Sequence, residues 1–153
     1  MANIYSITTI RRKVKEYGKI INAPARSLRV FTTSDGFGTP YIEIGTNEYS
    51  YIISERGSEL ERRRTNDLDT LLYWILSDIV SNMAEEWELE HRKPNEDSRR
   101  QLFAKEIELM EQLEPKFAKW KKKEIREILK KYPYDDELYK NARKIDPVNE
   151  LDS

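Results

Sequence analysis

Residues 55–100, ERGSELERRRTNDLDTLLYWILSDIVSNMAEEWELEHRKPNEDSRR, decide the fold. From Asp67 to about His91 the run sets Leu68, Leu71, Leu72, Ile75, Leu76, Ile79, Val80, Met83, Ala84 and Trp87 on one stripe at helical spacing. A stripe that broad belongs to a long amphipathic α-helix and needs a core to cover it. Thr65 or Asn66 suits the cap position, and Asp67 and Asp69 fall near the positive end of the helix dipole. Pro94 or Asn95 suits the start of the next helix, which turns Leu102, Phe103, Ile107, Met110 and Leu113 inward.

Upstream, Ile7, Ile10, Val14, Tyr17 and Ile21 recur at steps of three or four, which makes the first 21 residues a helix ended by Asn22-Ala23-Pro24. Leu28–Thr33, Tyr41–Ile44 and Tyr49–Ile53 are rich in β-branched and aromatic residues and read as strands. Asp35-Gly36-Phe37-Gly38 and Gly45-Thr46-Asn47 supply the positive-φ residues that tight hairpin loops need, so the order is an antiparallel meander. Leu60–Arg64, after the Arg56-Gly57 turn, reads as a further edge strand, and Tyr49 and Tyr51 share one face as a candidate exposed tyrosine row.

Downstream, Pro115 opens a helix to about Lys131 with Phe117, Trp120, Ile125, Ile128 and Leu129 inward, and Pro133 stops it. The expected fold class is therefore α+β: an N-terminal helix, a three- or four-stranded antiparallel sheet, then three helices packed on it. Residues 1–133 read as one domain. Residues 134–153 read as a polar tail with a short helix, a frayed end and few apolar anchors beyond Leu138, Tyr139 and Ile145.

The chain has 153 residues, enough for one core burying roughly 68–70% of the unfolded surface. With 27 basic and 28 acidic residues there is no bulk field for nucleic acid or anionic lipid, so an electrostatic partner must read a local patch. The absence of cysteine excludes disulfides and thiolate chemistry and fits a reducing compartment. No secretory leader pattern or membrane span is visible, and a cytoplasmic location is expected.

No catalytic motif stands out. His91, the single histidine, sits in an acidic run at a helix end and reads as a solvent-facing residue near the negative dipole end. The adjacent pairs Glu85-Glu86 and Asp135-Asp136 do not face each other on a helix, and no phosphate-cradling glycine loop is present. No enzyme activity, cofactor or metal site is expected.

Surface chemistry says more. Lys116, Lys119, Lys121, Lys122, Lys123, Arg126, Lys130 and Lys131 make helix 116–131 strongly basic, the basis of an alternative reading as a nucleic-acid-binding or regulatory module. Against it, cations are favoured late in a helix and only Trp120 interleaves with them. Glu85, Glu86, Glu88 and Glu90 gather where the dipole disfavours acid, which suits either a cationic partner or a plain solvated acidic face. Tyr73 and Trp74 extend past the main stripe, Trp74 toward the core and Tyr73 equally suited to an interface. Phe37 is apolar at a loop tip with no predicted core direction. The expected partner-binding residues are Phe37, Tyr73, Glu85, Glu86 and Glu88.

The motifs ERG, ELERR, TNDLDTLLYWI, MAEEWELEHR and SRRQLF, in that order, resemble the Immunity protein 63 family of bacterial polymorphic toxin systems. The resemblance covers roughly Ile10 to Asp135; the Arg62-Arg63-Arg64 run and the tail after Tyr134 are less regular than the family pattern. It implies an immunity protein, or antitoxin: a small cytoplasmic protein that neutralises a cognate toxin, a nuclease being one candidate, by covering it rather than by chemistry. Residue pattern and resemblance together leave the toxin and the oligomeric state open.

Overall fold

The computed structural model describes residues 3–144, with the side chains of 141–144 left aside. The expected anchor Ile145 and the frayed end to Ser153 lie outside the described residues. The chain divides within its longest helix into two compact units, one through Ile79 and one from Val80 onward.

The first unit begins with α1 (Ile7–Ile20), where the Ser6 hydroxyl accepts a hydrogen bond from the Thr9 N–H at 3.2 Å. Ile10 and Val14 are fully buried, as the three-and-four spacing requires. Asn22, with φ 56°, takes the left-handed conformation that ends helices. A single 3-10 turn, Ala25–Leu28, follows.

The sheet has three antiparallel strands in sequence order, β1 (Tyr41–Ile44), β2 (Tyr49–Glu55) and β3 (Ser58–Thr65). The expected strand at Leu28–Thr33 does not form. Its residues make the 3-10 turn and one isolated bridge, Phe31 to Tyr41, with the Ile42 N–H donating to the Phe31 carbonyl at 2.9 Å. A β-rich stretch becomes a strand only where a partner strand pairs along it, and here pairing stops after one residue. Arg56 and Gly57 both take positive φ, as a two-residue hairpin loop requires.

β3 forms where expected, at the sheet edge, paired antiparallel with β2, and its arginines meet nearby acids. Arg62 reaches Glu43 at 3.1 Å and Glu59 at 2.8 Å, and Arg63 stands opposite Tyr51. The tyrosine row is not exposed. Tyr49 and Tyr51 are buried, the Tyr49 hydroxyl accepting from the Tyr5 N–H at 2.7 Å.

α2 (Leu68–Glu90) starts on Asp67 rather than on Thr65 or Asn66: Asp67 Oδ2 accepts from the Thr70 N–H at 3.0 Å and from its hydroxyl at 2.7 Å. Thr65 supports the cap by accepting from the Asp67 N–H. Asp67→Ala removes that acceptor and is expected to lower the unfolding free energy by about 1 kcal/mol, read as a lower urea midpoint at unchanged slope.

In the second unit α3 (Arg99–Leu113) and α4 (Pro115–Lys131) pack together over Phe103, Met110, Leu113 and Phe117, and α5 (Asp136–Lys144) follows. Pro115 opens α4 as expected. α3 begins several residues after Pro94, because Asp97 captures the backbone ahead of it. Its Oδ1 accepts from the Arg99 N–H at 3.0 Å and its Oδ2 from the Asp135 N–H at 3.1 Å.

Candidate partner-binding surface

Two exposed features on separate units remain as contact candidates. In the first unit, Phe37 is 87% exposed at the tip of the loop before β1. The loop around it is ordered by its own chemistry. Gly36 and Gly38 take φ of 79° and 88°, Asp35 Oδ1 accepts from the Phe37 N–H at 2.8 Å, and the Thr39 hydroxyl donates to Asp35 Oδ2. Those bonds hold the Asp35 carboxyl below its usual range, the Thr39 hydroxyl contributing most. Phe37 also bridges to Glu55 at the end of β2. A rigidly presented aromatic loses little entropy on binding, the property of interface anchors.

In the second unit, the last turns of α2 present Glu85, Glu86, Leu89 and Glu90. Residues 85 and 89, and 86 and 90, are four apart, so they share one face. Leu89 is 64% exposed among the three carboxylates, and none of the three has a salt bridge among the described residues. No basic residue sits in this last turn.

The other two expected contact residues are not on the surface. Tyr73 is 4% exposed, because α2 is buried on nearly every side from Leu71 to Leu76. Glu88 is 5% exposed and is forked by Arg92, with Nε and Nη2 each 3.1 Å from its oxygens. It lies four residues after Ala84 on the stripe, so it faces inward, and Leu89, one position on, faces out.

His91 is held at the end of α2: its ring stacks on Trp87 at 4.3 Å and its Nδ1 lies 2.8 Å from the Trp87 carbonyl oxygen. Among the described residues no group of acids and histidine is arranged to hold a metal. No described helix is long and apolar enough to cross a membrane.

Five of the eight cations on the basic helix fall into two sets, while Lys123, Lys130 and Lys131 are exposed elsewhere. Lys116, Lys119, Lys122 and Arg126 line one open groove of about 560 Å³ with Pro115. Lys121 instead turns inward, buried, 3.2 Å from Glu124. Burial raises the nearby Glu106 carboxyl above its usual range, and the Lys121 charge opposes that rise.

One cluster is not visible in the sequence pattern. The Arg63 guanidinium lies 4.7 Å from the Tyr51 ring and 5.0 Å from the Trp74 ring, whose centroids are 6.2 Å apart. Burial pushes the Tyr51 hydroxyl up, with Asp78 adding to the rise and Arg63 opposing it. The cluster joins β2, β3 and α2 through cation–π contacts.

Residues 46–127, just over half of the chain, match the family model described as Immunity protein 63. The chain belongs to the Immunity protein 63 family. No curated protein and no solved structure matches it. The match runs from the β1–β2 loop through most of α4, so the Immunity protein 63 region holds the acidic face of α2 and the Arg63 cluster, while Phe37 lies outside it. Family membership indicates an immunity role and a toxin as partner, and proteins of such families generally act without catalysis.

Proposed function

We propose that this Immunity protein 63 member binds one cognate bacterial polymorphic toxin in the cytoplasm and neutralises it by steric occlusion. The observation that carries the reading is the exposed acidic face of α2 around Leu89, inside the family-matched region. Three carboxylates without salt bridges among the described residues, at the negative end of a helix, are mildly unfavourable to the free protein. A cationic partner relieves that cost, and the substrate groove of a nuclease is basic because it must hold phosphates. Leu89 supplies an apolar centre that loses water on contact, and the surrounding charges set encounter rate and specificity. Occlusion needs no chemistry, only an interface of about 1,200–2,000 Å² total.

Phe37 is a second, independent anchor in the proposal. Phe37→Ala is expected to leave stability within about 0.5 kcal/mol, since the ring is almost wholly in solvent. It is expected to weaken toxin binding about tenfold or more, measured by titration calorimetry on the complex.

The groove along α4 keeps nucleic acid as a second reading. Capture with the tagged chain at low and high salt separates the two. The immunity reading expects one stoichiometric toxin-domain partner retained at high salt. Nucleic acid as the sole partner, lost steeply with salt, would overturn it in favour of the lysine helix.

A further inference from the structure

Between α1 and the segment Ala25–Phe31 lies an open cleft of about 560 Å³. Its rim carries Arg11, Lys15 and Lys19 from α1, with Arg29 from the facing segment. Its floor is apolar, built mainly from Leu28, Val30 and Phe31, and no acidic residue among the described ones lines it. Helical residues four apart share a face, so the three α1 cations form a row spanning about 12 Å.

The row is built rather than incidental. Arg11 is fixed by donating from Nε and Nη2 to the Val30 carbonyl, at 3.2 and 2.9 Å. Arg12, on the neighbouring face, is neutralised by Glu16 at 3.0 Å. Lys15, Lys19 and Arg29 have no such acid among the described residues and face solvent. The wall closes tightly because residue 18 is glycine: a Cβ there would lie 2.5 Å from the Leu28 side chain. Phe31 is 38% exposed on the floor.

We propose that this cleft docks an extended acidic peptide segment of a protein partner, with apolar side chains on the floor and carboxylates along the cation row. An extended chain advances about 3.3 Å per residue with alternating side chains, so the row matches roughly four residues, two facing down and two facing the rim. The cation row selects acid, and the apolar floor selects against a bare phosphate chain. The cleft lies outside residues 46–127 and has the opposite sign to the α2 face, so its failure would leave the immunity reading standing.

Fluorescence anisotropy on the full chain tests it, with a fluorescein-labelled peptide alternating Glu and Leu as the probe. A Glu/Gly peptide, a Lys/Leu peptide, a single-stranded oligonucleotide and phosphatidylserine vesicles are the comparisons. The Glu/Leu peptide is expected to bind saturably, and the Glu/Gly and Lys/Leu peptides at least about tenfold more weakly. The double variant Lys15→Glu/Lys19→Glu is expected to weaken Glu/Leu binding by about tenfold or more with the thermal midpoint within a few degrees of wild type, since both side chains are exposed and acid at position 19 meets only the negative end of the α1 dipole. Phe31→Ala is expected to weaken Glu/Leu binding while leaving Glu/Gly binding as it was. Absent saturable binding, equal affinity for the Glu/Leu and Glu/Gly peptides, or insensitivity to both variants would overturn the proposal. Tighter binding of the oligonucleotide or the vesicles through Lys15 and Lys19 would also overturn it and assign the cleft to that ligand.

Discussion

Asp97→Ala is expected to lower the unfolding free energy by about 3 kcal/mol at neutral pH, the low end for breaking a buried ion pair. Asp97 is 1% exposed, and its carboxylate meets the Arg99 guanidinium at 2.8 Å as well as the Arg99 and Asp135 N–H groups. Arg99 in turn donates to the carbonyls of Tyr132 and Pro133, and the Asp97 N–H donates to Asp136. One side chain thus ties the start of α3 to the approach and first turn of α5. Without it, the Arg99 charge and two backbone donors lose their acceptor, a loss only partly met by water.

The same carboxylate makes stability depend on pH with a definite sign. The Arg99 side chain, more than any other group, lowers the Asp97 pKa from 3.8 to about 2. The folded value lies below the unfolded one, so the stabilisation is fully present above about pH 4 and is lost as pH falls through about 2. That shift corresponds to about 2 kcal/mol, so the gap between the wild type and Asp97→Ala is expected to narrow to about 1 kcal/mol as acid is added. A gap that stays constant from pH 6 to pH 2 would show that the carboxylate charge is not the source. Asp97→Asn keeps an acceptor for the N–H groups and is expected to lose about half as much as alanine.

The second large effect is on binding. Glu85→Lys/Glu86→Lys/Leu89→Arg is expected to weaken toxin affinity about a thousandfold, or roughly 4 kcal/mol, with the thermal midpoint within a few degrees of wild type. Two carboxylates become like charges facing a cationic surface, and the apolar centre becomes a third cation. All three positions are exposed, and cations near a helix C-terminus favour the helix, so folding is not the expected casualty. Most of the change should appear in the dissociation rate, with a smaller salt-dependent part in association. Unchanged affinity in this variant would remove α2 from the interface.

The helices and the hairpins were legible because their signals are local. α1, α2 and α4 follow their apolar spacing and their prolines, and the β2–β3 hairpin turns on Arg56 and Gly57 at positive φ, whereas the β1–β2 loop closes without the positive φ expected of Gly45-Thr46-Asn47. Leu28–Thr33 misleads because strand formation is decided by a partner, and only Phe31 finds one. The start of α3 misleads because a proline suits an N-terminal position, whereas Asp97 takes the backbone donors through contacts to residues some 40 positions away.

The surface was harder to read than the core. Glu88 was expected outside by its charge, yet its position four after Ala84 puts it on the buried stripe, where Arg92 one turn on compensates it. Leu89, though apolar, lies off the same stripe and is exposed. Spacing, applied without regard to residue class, predicts both. Tyr73 could not be settled that way, because its burial depends on how many sides of α2 are covered. Arg63 over Tyr51 and Trp74 depends on strand register, which spacing along one segment does not encode.

The most direct test of the central claim is a titration of the cognate toxin's activity with the purified chain at toxin concentrations well above the dissociation constant. Steric neutralisation predicts a linear fall in activity that ends sharply at one chain per toxin and recovers fully when the complex is dissociated. Inactivation by a small fraction of an equivalent, or inactivation that persists after the chain is removed, would mean that the protein acts on its toxin chemically and would contradict the account.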